Sequence, residues 1–126
     1  MIDSDILIWI LRDNEEVKDR FRKAVSKTQG QLFITPIQYM EIIAGVRAKE
    51  VVTTELFLDS LQMININRAI GNLAGVFLSK YQKSHAIHNA DALIAAAAKI
   101  NDLTVWTNNK KHYPMLNRGD FYAAQP

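Results

Sequence analysis

Met1-Ile2-Asp3-Ser4-Asp5, running directly into Ile6-Leu7-Ile8-Trp9-Ile10-Leu11, decides the reading of this chain. An apolar start meets Asp-Ser-Asp and then a second apolar run. This pattern predicts the end of a short buried strand, a tight turn and the first turns of a packed helix. In open α/β sheets, chemistry gathers beyond the carboxyl ends of the strands. Asp3 stands at such an end.

Working outward, apolar segments keep alternating between strand and helix periods. Ile6 to Leu11 begins a helix that ends near Arg12-Asp13-Asn14. Glu15 to Lys27 carries Val17, Phe21, Ala24 and Val25 at helical spacing, with charges between them, and Thr28-Gln29-Gly30 stops it. Gln31 to Ile34 reads as a short strand. Thr35-Pro36-Ile37-Gln38 is a helix start with a cap, a proline at the first position and a capping-box glutamine. The helix that follows, through Val46, is apolar on nearly every side and is expected to be buried.

Thr53 to Leu61 reads as a short helix and Met63 to Ile66 as a strand. Asn67 caps a helix through Tyr81, and Ser84 to His88 forms a loop. Asn89 to Ile100 is an alanine-rich helix suited to close packing, with Asn89 as its cap. Leu103 to Trp106 is a strand, Thr107 to Pro114 a polar basic loop, and Asp120 to Ala123 a last edge strand. Strands alternating with helices predict an α/β fold: a three-layer sandwich with a central, mainly parallel sheet flanked by helices.

The 126 residues, read as a single domain over 1–126, suffice for one sizeable core. No cysteine is present, which excludes disulfides and thiolate zinc sites. The net charge of +2 demands no polyanionic partner but permits a local basic patch. No basic leader and no membrane-length apolar run is visible, so a soluble, cytoplasmic protein is expected.

Three acids stand out from this frame. Asp3 suits a helix cap. Glu41 lies about two turns into the apolar helix, where a lone carboxylate needs a cation, either an arginine such as Arg47 or a metal. Asp91, in the first turn of its helix, suits the helix dipole. Each has a structural explanation alone. Together with the asparagines after Thr107 they form a set of oxygen ligands at strand ends, without histidine or cysteine. Such a set suits Mg²⁺ or Mn²⁺ and metal-assisted phosphodiester hydrolysis.

The chain resembles PIN-domain ribonucleases, and among them the VapC-type toxins of toxin–antitoxin pairs. Asp3-Ser4-Asp5-Ile6-Leu7-Ile8 is similar to the opening motif of that family. Glu41-Ile42-Ile43-Ala44-Gly45-Val46 is similar to its central Glu helix. Asp91-Ala92-Leu93-Ile94-Ala95-Ala96 closely matches the third motif. Thr107-Asn108-Asn109-Lys110-Lys111-His112-Tyr113 is similar to the fourth, with Asn109 where an acid is common. The strand before Asp3 is only two residues long, a second departure.

The resemblance implies that Asp3 and Asp91 hold the main ion and that Glu41 completes the pocket and handles the attacking water. Asn109 then assists a second ion or positions phosphate, and Ser4 and Thr107 support the carboxylates. It also implies an RNA substrate, a VapB-like antitoxin partner and a homodimer. Lys110, Lys111 and His112 are the basic candidates for RNA contact, with Lys80, Lys83, His85 and His88 before Asp91. Trp9 and Phe57 are candidates for interfaces. Two alternatives stay open: a catalytically weak module of the same fold that binds metal or antitoxin, and a receiver-like phospho-signalling domain. The latter lacks the expected Asp after Met63-Ile64-Asn65-Ile66.

Overall fold

Residues 1–3 thread the middle of a parallel sheet, and everything else is arranged around them. In the computed structural model, which describes residues 1–123, Ile2 donates its N–H to the carbonyl of Phe33 at 2.9 Å. On the other side, Trp106 donates to Met1 at 2.8 Å and Asp3 donates to Trp106 at 3.0 Å.

The regular elements are α1 (Ser4–Leu11), α2 (Glu15–Thr28), β1 (Phe33–Ile34), α3 (Pro36–Gly45), α4 (Val51–Asp59), β2 (Gln62–Met63), α5 (Arg68–His85) and α6 (Asn89–Ile100). Strands β1 and β2 pair in parallel, Phe33 with Gln62 and Ile34 with Met63. Single parallel bridges extend the order: Ile2 with Trp106, and Val105 with Phe121. The segments therefore lie in the sequence β2, β1, 1–3, 104–106, 120–122.

Period-two alternation along these segments creates two cores. Met1 and Val105 face one, with α5 and α6. Ile2, Ile34 and Trp106 face the other, with α1 to α4. The three-layer expectation is met, but the sheet is smaller than the sequence suggests. Leu103–Trp106 and Asp120–Ala123 contribute single bridges, and residues 118–120 form a 3₁₀ turn. The expected strand 63–66 is Gln62–Met63, prolonged only by the Ile64 N–H on the Ile34 carbonyl at 2.8 Å.

Local chemistry explains the helix starts. Asn14 accepts from the Val17 N–H at 3.0 Å and caps α2. The Thr35 hydroxyl accepts from Ile37, while the fully buried Gln38 accepts from the Thr35 N–H at 2.9 Å and donates to the Ile2 carbonyl at 3.1 Å. The capping box thus ties α3 to the central segment. Small side chains let α6 pack closely: Ala92 and Ala95 to Ala98 are all buried.

Four expectations change. Helix α3 is covered on one side only; Met40 is 58% exposed and Glu41 also lies on the open side, because a sheet this narrow cannot surround the helix. Helix α5 continues past Tyr81 to His85 and ends at Ala86 in the left-handed region (φ 49°), so the expected loop from Ser84 to His88 shortens to Ala86, Ile87 and His88. Helix α6 is capped by His88, without a side-chain bond, rather than by Asn89. Helix α4 runs from Val51 to Asp59, leaving Leu61 as a buried anchor beyond it.

Candidate active site

Asp3 is the hub at the carboxyl end of the central segment. Its backbone ends the segment, and its side chain caps α1 by accepting from the Ser4 N–H at 2.8 Å. The other carboxylate oxygen, Oδ2, accepts from the Thr107 hydroxyl and from the Tyr113 hydroxyl, each at 2.9 Å. Cap and site are therefore the same group.

Glu41 reaches the same place from α3. The Ser4 hydroxyl donates to its Oε1 at 3.2 Å. Asp91 arrives from the first turn of α6 and lies beside the ring of His112, with Nδ1 at 3.7 Å from Oδ2. Asp3, Ser4, Glu41, Asp91, Asn109 and His112 line one cavity of about 220 Å³, joined by Asp5 and His88. Thr107 acts from behind, through Asp3. Lys110 and Lys111 stand outside, on a neighbouring hollow shared with Asn109.

The electrostatics are those of crowded acids. Glu41 lies on the open side of α3, and the partial desolvation of its carboxyl in the cavity is the main cause that raises it above its usual range; the charges of Asp3 and Asp91 add to it and the Ser4 bond opposes it. Burial likewise raises Asp91, then repulsion from Asp3; His112 and His88 offset part of this. The Tyr113 phenol is pushed up by burial and by Asp3, so it stays a proton donor. Among the described residues no lysine or arginine pairs with any of these acids, and the ion pair considered for Glu41 with Arg47 does not form.

The donors facing the cavity are mostly hard oxygens, which suit a small divalent cation. Among the described residues no three acids or histidines form a ready-made cage. Mg²⁺ does not require one, because it keeps several waters and takes one or two carboxylates. Asp3 and Asp91 fit that role.

Two residues of this site escaped the sequence reading. Asp5 accepts from the Asn108 N–H at 2.8 Å and from the Asn109 side-chain amide at 3.2 Å, and so straps the loop after Trp106 onto α1. Burial raises its carboxyl, while the Asn108 bond opposes the shift. Tyr113 is the largest fully buried side chain. Its position in an aromatic slot was legible; its bond to Asp3 was not.

A sequence model of the family described as PIN domain matches residues 1–115. This chain belongs to the PIN-domain family. Within that family it is similar to a Mycobacterium tuberculosis protein named ribonuclease VapC10, at 33% identity over 94% of this chain and 88% of the relative. The PIN fold is shared with a toxin–antitoxin complex from Klebsiella pneumoniae: TM-score 0.77, 24% identity, 98% of this chain and 96% of the other. It is shared too with VapBC2 from Rickettsia felis, solved with a promoter DNA fragment: TM-score 0.73, 20% identity, 96% and 93% covered. Family membership displaces the receiver-like alternative.

The remaining candidates of this PIN domain sort by position. Lys80, Lys83 and His85 lie on α5, away from the cavity lining, whereas His88 lines it and meets His112 edge-on at 6.4 Å. Phe57 packs against Phe21 at 5.7 Å instead of standing free, while Trp9 is 43% exposed. No helix among the described residues is long and apolar enough to cross a membrane.

Proposed function

We propose that this PIN domain is a Mg²⁺- or Mn²⁺-dependent endoribonuclease, the toxin of a VapBC-type toxin–antitoxin pair. The observation that carries the reading is the convergence of Asp3, Glu41 and Asp91 on one cavity, with no lysine or arginine paired to them among the described residues. The similarity to a protein named ribonuclease VapC10 supports RNA as substrate. The likeness to a toxin–antitoxin complex and to VapBC2 supports a VapB-like antitoxin as partner. A homodimer and a cytoplasmic location belong to the same proposal.

Asp3 and Asp91 would hold the ion, and Thr107 and Tyr113 fix the Asp3 carboxylate from behind. When bound, the ion would supply charge neutralisation and polarise the phosphoryl oxygen. Glu41, oriented by Ser4, accepts a proton from the attacking water; its raised carboxyl pKa favours that task. The water oxygen bonds to phosphorus, a P–O bond of the backbone breaks, and the leaving oxygen takes a proton from solvent. Asn109 positions the phosphate or a second ion, and Lys110, Lys111 and His112 hold flanking RNA.

One observation favours a weaker catalyst. Asn109 is neutral and its amide already donates to Asp5, so it contributes at most one carbonyl oxygen. RNA cleavage by wild type, Asp3→Asn and Asp91→Asn with Mg²⁺ or Mn²⁺ tests the reading. Cleavage by wild type and its loss in both folded variants supports the nuclease. Equal activity in all three rejects this site, and no cleavage by wild type leaves the binding module.

A further inference from the structure

The acid cavity does not stand alone. Glu41 is also part of the wall of a larger groove of about 480 Å³, lined by α1, the end of α3 and the start of α4. Asn109 is also part of the wall of the hollow that carries Lys110 and Lys111. Three depressions thus follow one another through shared walls: a groove, the acid cavity, and a basic hollow.

The groove has its own basic groups, Arg12 and Arg47. Both are exposed, and neither makes an ion pair among the described residues. Arg12 only approaches the face of Trp9, with its guanidinium carbon 6.0 Å from the ring centre. Arg12 follows the eight residues of α1, whose N-cap is Asp3. That helix is a ruler: at ~1.5 Å per residue it sets the Arg12 backbone about 12 Å along the axis from Ser4, on the wall of the acid cavity.

We propose that Arg12 and Arg47 form a second backbone subsite, which grips phosphates of the RNA strand on the groove side of the cut. The inference rests on the nuclease reading above and deepens it. A strand lying through all three depressions meets cations, then the acid cavity, then cations again. Its phosphates are anchored before and after the reacting one, which suits cutting within a chain. Guanidinium is suited to this task because its planar fork grips phosphate oxygens in pairs. Ile8, Leu11, Ile42 and Val46 give the groove an apolar floor, against which sugar and base faces can lie. Glu50, on the same groove, opposes the strand. The subsite therefore makes predictions of both signs.

The test is binding of a labelled oligouridine of about 12 nucleotides, a length within the range that single-strand sites cover. Fluorescence anisotropy is read in EDTA across a series of salt concentrations, on the full chain, with folding checked by circular dichroism. Arg12→Ala/Arg47→Ala is expected to bind about tenfold more weakly and to lower the slope of log affinity against log salt by about 1.4, two phosphates at ~0.7 each. Arg12→Lys/Arg47→Lys keeps most of the slope, and Glu50→Gln binds more tightly than wild type. An unchanged slope in the alanine pair, in a protein that still cleaves RNA, overturns the subsite alone. So does an unchanged slope accompanied by lost affinity for an antitoxin peptide, which makes the groove a protein-docking surface. Failure of the wild type to bind or to cleave RNA overturns the nuclease reading with it.

Discussion

The hydroxyl of Tyr113 donates to Oδ2 of Asp3 at 2.9 Å across a sequence separation of 110 residues, wholly inside the protein. It removes the freedom of the acid on which the cavity is centred. Tyr113→Phe keeps the ring and deletes only this bond. Loss of a hydrogen bond to a charged group costs about 1.5–3 kcal/mol. Urea unfolding should report that loss, and RNA cleavage should fall about tenfold through misplacement of Asp3. Wild-type stability and activity in this variant would assign the bond no role.

Asp91 separates stability from activity. It is repelled by Asp3 and Asp5 and has no lysine or arginine partner among the described residues. Asp91→Asn should melt no lower than wild type in EDTA, while its cleavage falls at least about 100-fold. Added Mn²⁺ should raise the melting temperature of wild type more than that of the variant, because a ligand stabilises by binding the folded state. A variant that unfolds easily would mean that Asp91 is structural.

The legible part of this protein is that set by short-range chemistry. Thr35-Pro36-Ile37-Gln38 announces a helix start because cap, proline and glutamine act within four residues, and the structure contains all three interactions. The alternation of apolar strands and helices was enough for the layers. The acids were legible as an unusual set, and the structure puts them on one cavity. What was not legible depends on distant partners. Asp5 looks redundant beside Asp3, and residues two apart on a helix do not face each other. Its role appears only once the loop of Asn108 and Asn109 folds across α1. The exposure of Glu41 was hidden for a related reason: an apolar sequence does not say how wide a sheet is available to cover it.

Acidity should relieve the crowding of the acids in the metal-free protein. Asp5, Glu41 and Asp91 all have carboxyl groups raised above the ordinary value, mainly by burial. The folded state therefore binds their protons more tightly than the unfolded chain does. Their favourable contribution is complete below the ordinary carboxylate values and is lost as pH rises through the raised ones. In EDTA the Met1 amine, lowered to about 5 by burial, acts against this between about pH 8 and pH 5, so the acids are read by difference: from pH 7 to pH 5 the melting temperature of wild type should gain on that of Asp91→Asn. Asp120 acts in the opposite sense at lower pH, since Lys99 and the Asn117 N–H hold its carboxyl below the ordinary value. A difference between wild type and Asp91→Asn that shrinks or reverses on acidification would contradict the crowding of the acids.

Asp5 can be tested against its own amide. Asp5→Ala releases the Asn108 N–H, the Asn109 side chain and part of the Thr107 contact together. Supporting groups of this kind typically cost about 10- to 100-fold in metal affinity or activity when removed. Asp5→Asn keeps one acceptor oxygen and should lose less. Hydrogen exchange at the Asn108 amide gives an independent reading: it should accelerate in the alanine variant.

The placement of residues 1–3 between Phe33 and Trp106 also governs when the site comes into being. A ribosome releases Asp3 about a hundred residues before Thr107 and Tyr113. The carboxylate waits over that whole stretch for the hydroxyls that fix it. A nascent chain halted anywhere between them lacks the finished centre, so the potential hazard of a half-made nuclease is deferred until both hydroxyls have emerged.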